Sequence, residues 1–457
     1  MADLVNNGQK RSAWSSKFGF LMAAVGSAVG LGNIWRFPYI AGQYGGAIFL
    51  IIYIIVVAVL GFSMLTLELV IGRNRNANVL DAFEMGKKKK ITPIGWLCIF
   101  TPFLIVSYYN VIGGWIVKYL VGYIGGGGFV NDTGDYSAVF GNFISDPVWS
   151  SVFTVIFIAL CAVVLIFGVQ KGIEKVSKVL MPALFFILAF VAIVSLTMDG
   201  ALEGLKYLFV PNFESMEKYG ILNILNAAMG QAFFSLSVGM GIAVTYGSYL
   251  KKDQNIPKNA AIICGLDTLV AVFAGLAIIP AVFSAGIAPT EGTGLVFVAL
   301  PAVFKTLGGF GIVIAVLFFV LILFAAWTSA ISLLEVLIAA VEEKTKLGRK
   351  GSTALVVGVV FVTSIIVSLS QGDVIPTDLL TLFDNITNKI LLPVTGILMC
   401  IFLVAKIGMQ NAKDELLLNC KSRKWADVWG FLIKFVTPIL IAFIFVMGIL
   451  SWAGVAI

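Results

Sequence analysis

Apolar residues fall in long unbroken blocks along this chain, separated by short charged or Gly/Pro-rich breaks. The blocks have approximate limits 18–42, 45–72, 92–124, 149–168, 174–197, 221–250, 258–285, 309–341, 352–370, 378–405 and 429–455, about eleven in all, each near the length a helix needs to cross a bilayer. Lipid offers no partner to a free peptide group, so only helices or closed barrels span it, and continuous apolar runs select helices over an alternating barrel pattern. The pattern predicts an all-α, polytopic membrane protein with one transmembrane domain over residues 1–457.

Two blocks break the rule. Span 1 holds "GSAVGLGN" (Gly26 to Asn33) at its middle, and span 6 holds "SLSVGMG" (Ser235 to Gly241). Glycines can serve close helix packing, and Gly26-xxx-Gly30 fits that use. Packing alone does not call for Asn33, Arg36 and Pro38 in the same helix, or for Ser235 and Ser237 beside the second set of glycines. Interruptions of one kind, five spans apart, are what an inverted repeat of five plus five helices predicts. Repeat one would cover about 18–197, repeat two about 221–405, with a further helix at about 429–455. Unwinding frees backbone carbonyls that are costly when bare in hydrocarbon, so they must coordinate something, and a dehydrated cation suits them. The start of the continuing half-helix offers N–H groups and a partial positive charge, suited to a carboxylate. Carbonyls, hydroxyls and an amide favour a hard cation, and few fixed negative charges favour a monovalent one. Sodium with a zwitterionic amino acid meets both demands.

Composition agrees: 60% of residues are hydrophobic and 12% charged, with a mean hydropathy of +1.01, which suits lipid and not water. The net charge of +7 does not imply a nucleic acid, because its basic residues sit in short loops where membrane orientation explains them. With the N-terminus inside, inner segments carry Lys10, Arg11, Lys87 to Lys90, Lys171, Lys175, Lys178, Lys251, Lys252 and Lys258, while outer ones carry chiefly Asp132, Asp135, Asp146, Asp199 and Glu203. This predicts a plasma (inner) membrane protein with its C-terminus outside. The tetralysine at 87–90 reads as a topology anchor or a lipid-headgroup patch, and Asn131-Asp-Thr133 is a bare sequon. The polar N-terminal stretch shows no cleavable targeting pattern. Cys98, Cys161, Cys264, Cys400 and Cys420 lack CxxC spacing and there is no histidine, which argues against disulfide frameworks, His-ligated metals and His proton relays. No nucleophile–base pair or metal cluster emerges, so an enzyme is not expected.

The motifs "AVGLGNIWRFPY" (Ala28 to Tyr39), "GQAFFSLSVGMG" (Gly230 to Gly241), "YYNVIGGW" (Tyr108 to Trp115) and "AAWTSAIS" (Ala325 to Ser332) resemble the neurotransmitter:sodium symporter family, over essentially the whole chain. The resemblance implies the LeuT fold in its eleven-span bacterial form, with helices 1 and 6 unwound. It implies one sodium at the Ala28 carbonyl, the Asn33 amide oxygen and Ser235. A second would use the carbonyls of Gly26, Val29 and Ala325 with the hydroxyls of Thr328 and Ser329, although such hydroxyls also back-bond their own helix. The substrate carboxylate would meet the N–H groups of Leu31 and Gly32, the Tyr109 hydroxyl and the first sodium; the ammonium would meet carbonyls of Ala28, Phe234 and Ser235. Side-chain selectivity would come from Ile105, Tyr109, Phe234, Ser237, Met240, Ser329 and Leu333. None of these is charged, so a charged substrate would lack compensation.

Two departures from the family pattern matter. Met240 replaces a phenylalanine common in relatives, and its flexible thioether suits larger apolar groups, favouring branched or aromatic amino acids. Asp267 stands where chloride-dependent relatives place neutral residues, so its carboxylate is expected to replace chloride; no comparable role is visible for Ala271. Chloride independence follows, with room for the empty carrier to return a proton. The plain alternative is a solvated Asp267 near the cytoplasmic end, nine residues from Lys258. The resemblance further implies an outer gate of Arg36 and Asp384 with Gln231 holding Arg36, and an inner gate of Arg11, Trp14, Ser248, Tyr249 and Glu343. Glu68 is expected to accept hydrogen bonds from the unwound backbone of span 6, in a structural or a coupling role. The expected function is sodium-coupled uptake of a hydrophobic or aromatic amino acid by a monomer or dimer in the lipid bilayer. A non-transporting amino-acid sensor and a proton-coupled permease of similar architecture are the alternatives. The two-sided gate disfavours the first, and the absence of a basic residue at the second sodium site disfavours the other.

Overall fold

Each apolar block becomes a helix, and several begin where a capping side chain precedes a proline. Asp146 accepts from the N–H groups of Val148 and Trp149 ahead of Pro147, and Asn255 caps Lys258 N–H beside Pro257; both satisfy donors a helix start leaves free. A computed structural model describes residues 13–85, 92–128, 134–286, 294–420 and 422–454. Arg11, the tetralysine and the sequon lie outside the described residues. All elements assigned among the described residues are helical.

The long helices, in order, are α1 (Lys17–Ala28 and Gly32–Gln43), α2 (Ala47–Arg75), α3 (Pro93–Ile124), α4 (Pro147–Ile166), α5 (Val169–Leu196), α6 (Ile221–Ser235 and Ile242–Ser248), α7 (Ile256–Ser284), α8 (Gly308–Lys344), α9 (Gly348–Leu369), α10 (Leu379–Leu417) and α11 (Arg423–Trp452). Among the described residues, nine helices are long and apolar enough to cross a membrane, and α1, bent by 48° between its halves, makes ten. The halves of α6 are parted by Leu236–Gly241. Side chains such as Phe186 and Val179 stand exposed along α5, where lipid takes the place of a packing partner.

The first half of α1 lies against α5, α7 and α8, which places its break at the centre of the protein. The second half of α6 touches α2 backbone to backbone: a Cβ on Gly72 would stand 2.1 Å from the Val244 carbonyl oxygen, a separation only glycine allows.

The sequence pattern leaves two kinds of element unseen. Short helices Tyr136–Ser145, Ala201–Phe209, Glu214–Tyr219 and Leu295–Thr306 occupy stretches read only as loops. Helix α10 passes the expected limit of 405 to Leu417. Its extra turns are polar, so hydropathy misses them, and Arg73 secures them by an ion pair to Glu415 at 2.6 Å.

Candidate functional site

The break in α1 follows from its glycines. Helical bonding ends with Val29 N–H donating to the Val25 carbonyl, and the chain resumes through a π turn over Gly32–Arg36, a wide turn often found at functional sites. The released N–H groups find side chains: Gly30 N–H donates to Asn33 Oδ1 (3.1 Å) and Leu31 N–H to the Tyr109 hydroxyl oxygen (3.1 Å). A Cβ on Gly30 would stand 2.5 Å from Ser329 Oγ and 2.9 Å from the Tyr109 hydroxyl, so only glycine permits this approach. In α6 the unwound turn carries Ser237 at φ +53° with Gly239 and Gly241 at +81° and +74°. A serine in the left-handed region is uncommon and strained. Its side chain donates across to the Ser27 carbonyl at 3.0 Å, joining the two breaks.

Asp267 of α7 is completely buried. Asn33 Nδ2 donates to its Oδ1 at 2.7 Å, the Ser235 hydroxyl lies 2.9 and 3.0 Å from its two oxygens, and the Tyr53 hydroxyl donates to Oδ2 at 3.3 Å. This corrects the reading of a solvated Asp267: the register of α7 turns it inward onto both breaks. Three uncharged groups do not neutralise a carboxylate, and a buried charge without a counter-charge is costly. The amide and the hydroxyl each retain a lone pair on oxygen, so the cluster offers hard oxygen donors and a carboxyl group able to supply one negative charge to a cation.

A second oxygen-rich point lies between α1 and α8. Ser329 Oγ is 3.4, 3.2 and 3.5 Å from the carbonyl oxygens of Gly26, Ser27 and Val29, and one hydroxyl proton cannot serve three acceptors. Thr328 donates to its own helix at Phe324 (2.9 Å) and Ala325 (3.2 Å), while its Cβ neighbours Gly26. Ser329 thus meets the Gly26 and Val29 carbonyls directly, while Thr328 and the Ala325 carbonyl are bonded to each other within α8 beside Gly26.

Between the two oxygen clusters is a cavity of about 20 Å³ lined by Ala28, Gly32, Ile105, Tyr109, Phe234, Ser237, Met240, Ser329 and Leu333, and also by Ser27 and Gly30, which the sequence reading did not name. Leu31 and Ser235 stand behind the lining, tied to Tyr109 and Asp267. A space of this size holds about one water, so an amino acid enters only as side chains move. Met240 has the flexibility for it.

The outer side differs from expectation. Arg36 and Asp384 form no direct ion pair. The Arg36 guanidinium lies 5.1 Å from the Phe234 ring centroid and donates to the Gly230 carbonyl (3.4 Å), while Asp384 accepts from Tyr108 (3.0 Å) and Asn388 (2.7 Å). Gln231 does not hold Arg36; its Nε2 donates to the Gly32 carbonyl at 2.7 Å. The Phe234 ring face and the Gly230 carbonyl partly compensate the Arg36 charge.

On the inner side Trp14 is buried, donating its indole N–H to the Tyr246 carbonyl (3.1 Å) and packing edge-on against Tyr246 and Tyr249. Tyr249 donates to Glu335 (3.1 Å), which pairs with Arg349 at 2.6 Å. Glu343 accepts from Asn78 (2.7 Å), and Ser248 turns back to Thr245 on its own chain segment, so Ser248 does not reach across the seal. Tyr53, Tyr246, Glu335 and Arg349 were not singled out in the sequence. The signal available was general: hydroxyls and charges inside apolar blocks need partners.

Glu68 is fully buried and accepts from Gly239 N–H at 2.5 Å, as expected for a clamp on the unwound backbone.

Comparison with known proteins sets this geometry in context. The family model described as "Sodium:neurotransmitter symporter family" matches residues 11–125 and 144–456. The sodium-dependent transporter YhdH of Bacillus subtilis (strain 168) is 40% identical over 97% of this chain and 99% of its own length. The sodium-dependent neutral amino acid transporter B(0)AT3 of Mus musculus is 32% identical over 61% of this chain and 49% of its own. The crystal structure of MhsT in complex with L-phenylalanine superposes with a TM-score of 0.87 at 37% identity, covering 96% of this chain and all of MhsT.

Proposed function

This chain belongs to the sodium:neurotransmitter symporter family, and we propose that it carries a hydrophobic or aromatic L-amino acid into the cell with sodium, independently of chloride, by alternating access. The observation that carries the reading is the buried Asp267 cluster at the two helix breaks, beside an uncharged cavity. In this reading the first sodium takes Asn33, Ser235 and the Ala28 carbonyl, with the Asp267 carboxylate supplying the charge that chloride provides elsewhere. A second takes the carbonyls of Gly26, Val29 and Ala325 with Thr328 and Ser329.

Arriving sodium would draw Asn33 and Ser235 away from their present bonds to Asp267 and fix both breaks at once, because the two residues come from α1 and α6. The substrate carboxylate would exchange into the bond between Leu31 N–H and Tyr109 and also meet Gly32 N–H, leaving the ammonium to the carbonyls of Ala28, Phe234 and Ser235. Phe234, which lines the cavity and carries Arg36 above its ring, would close the outer side. Arg36 then approaches Asp384, while release inward requires Trp14 to leave Tyr246 and Tyr249. Two inverted repeats of five spans and an eleventh helix, with the basic loops and N-terminus inside, complete the proposal. Met240 in the lining, and phenylalanine in MhsT, support an apolar or aromatic side chain.

The test is uptake of radiolabelled leucine, tyrosine, phenylalanine and tryptophan into proteoliposomes under an imposed sodium gradient, with chloride present or replaced by gluconate. Accumulation that needs sodium and ignores chloride is expected. Binding without accumulation would point to a sensor, and accumulation under a proton gradient alone would overturn the sodium sites.

A further inference from the structure

Away from the central cavity, a groove of about 530 Å³ opens where α4 runs into α5, lined by Phe167, Gln170, Lys171, Lys175 and Lys178. Lys171 sits in the π turn Val169–Glu174 that opens α5, Lys175 and Lys178 follow on one face of its α-helical part, and all three line the groove. The same face continues along α5 as Val179, Phe186, Phe190 and Ile193, which are 65%, 78%, 44% and 62% exposed. The lysines therefore stand at the end of the stripe that meets acyl chains, and Phe167, 62% exposed, forms the apolar rim. Lysine stems can lie along such a surface with their ammonium groups at headgroup depth.

The groove is backed by fixed structure. Gln170 donates to the Ala13 carbonyl at 2.6 Å. Glu174 accepts from Ser15 N–H (2.8 Å), the Ser16 hydroxyl (2.9 Å) and Lys178 (2.7 Å), and is also bonded to the Ser15 hydroxyl. That single carboxylate is thus engaged, while Lys171 and Lys175 form no ion pair among the described residues. Three ammonium groups against one carboxylate leave the groove positive. Orientation of the chain asks for basic residues on this side of the membrane, but not for three of them around one groove in line with the lipid-facing stripe.

We propose that this groove binds an anionic phospholipid, with the headgroup phosphate between Lys171, Lys175 and Lys178 and the acyl chains along Val179 and Phe186. Only the membrane orientation is taken from the transport reading. Failure of sodium-driven uptake leaves the lipid site standing, and failure of lipid binding leaves uptake standing.

The test is native mass spectrometry of the full chain in detergent, titrated with palmitoyl-oleoyl phosphatidylglycerol and, as the neutral probe, the matching phosphatidylcholine. Phosphatidylglycerol is expected to bind more tightly, with a loss of about five-fold for each lysine removed in the combined Lys171→Gln, Lys175→Gln, Lys178→Gln variant. The corresponding arginine triple is expected to retain binding, as is Lys251→Gln, Lys252→Gln, Lys258→Gln, which removes as much charge from another loop on the same side. Equal losses in the two glutamine triples, or equal binding of the two lipids, would overturn the proposal. Displacement of the lipid by millimolar inorganic phosphate would reassign the groove to a free anion. If the first glutamine triple does not fold, lipid selectivity of the wild type, phosphate competition and the arginine triple still decide.

Discussion

In α1 the chain unwinds for three residues, Val29–Leu31, and side chains take up the freed N–H groups, leaving carbonyls of Gly26, Ser27 and Val29 crowded around one hydroxyl. In α6 it unwinds over Leu236–Gly241, and there a carboxyl group, Glu68, holds a freed N–H. Both breaks have an acid nearby. Asp267 meets only side chains, drawn from three helices, and each of them can also serve a cation. Glu68 meets backbone that no ligand has to displace. On the proposed reading the Asp267 cluster, which draws on both breaks, would take a cation and let it go, while the Glu68 contact holds the second break unwound. Buried charge by itself does not mark an ion site; what matters is whether its partners can be shared.

That distinction is most directly broken by Asp267→Asn. Removing the charge while keeping the shape is expected to weaken sodium binding by about 100-fold or more, the scale of a broken buried charge pair, and to make uptake respond to chloride. Scintillation proximity binding in chloride and gluconate media reads both effects. Sodium affinity unchanged in Asp267→Asn would refute the assignment of the Asp267 cluster to the first sodium.

Gly30→Ala tests the close approach in α1. The new methyl would meet Ser329 Oγ at 2.5 Å and the Tyr109 hydroxyl at 2.9 Å, and overpacking of this kind costs about 1–3 kcal/mol. Substrate affinity at saturating sodium, measured by equilibrium binding, should fall by about 10-fold or more, with the purified protein still monodisperse.

Glu68→Gln sharpens the contrast from the other side. The amide keeps an acceptor for Gly239 N–H but puts an NH2 group in place of the other carboxyl oxygen, a change worth about 1 kcal/mol, so the thermal midpoint should fall by a few degrees. Sodium affinity should stay within about two-fold, since no proposed ligand is touched. A sodium defect as large as that of Asp267→Asn would erase the difference between the breaks.

The smallest effect is expected from Tyr109→Phe. One hydroxyl is lost and Leu31 N–H is left without its partner, worth about 1 kcal/mol. Substrate binding should weaken by roughly five-fold and the thermal midpoint should fall no more than in Glu68→Gln, while sodium affinity holds, as read in the same binding and melting assays.

Much of the central site was legible because helix breaks are written locally. Gly26, Gly30 and Gly32, with Asn33 and Pro38, announce the first, and Ser237, Gly239 and Gly241 the second. Resemblance to the family then pointed to Ile105, Tyr109, Phe234, Met240, Ser329 and Leu333, which the fold gathers around one cavity. The gates were less legible. Arg36 rests on Phe234 and not on Asp384, and Gln231 serves Gly32; which partner a long side chain takes depends on small distances in one conformation. Tyr53 escaped notice because its partner Asp267 is 214 positions away, and a lone tyrosine in an apolar block looks like packing.

The sequence by itself determined that this chain lies in a membrane, where its helices run, and where two of them cannot continue. Those are properties of the backbone and of the residues within a turn or two, and lipid enforces them. Only the tertiary structure decided which atoms meet at the first break, the Tyr109 hydroxyl at Leu31 N–H and Asp267 at Asn33, Ser235 and Tyr53; the Glu68 clamp on span 6 was already expected. The physical reason is that an unpaired polar group in an apolar interior must be satisfied by whatever the packing of other helices brings within about 3 Å, and that packing is set by contacts spread over the whole chain.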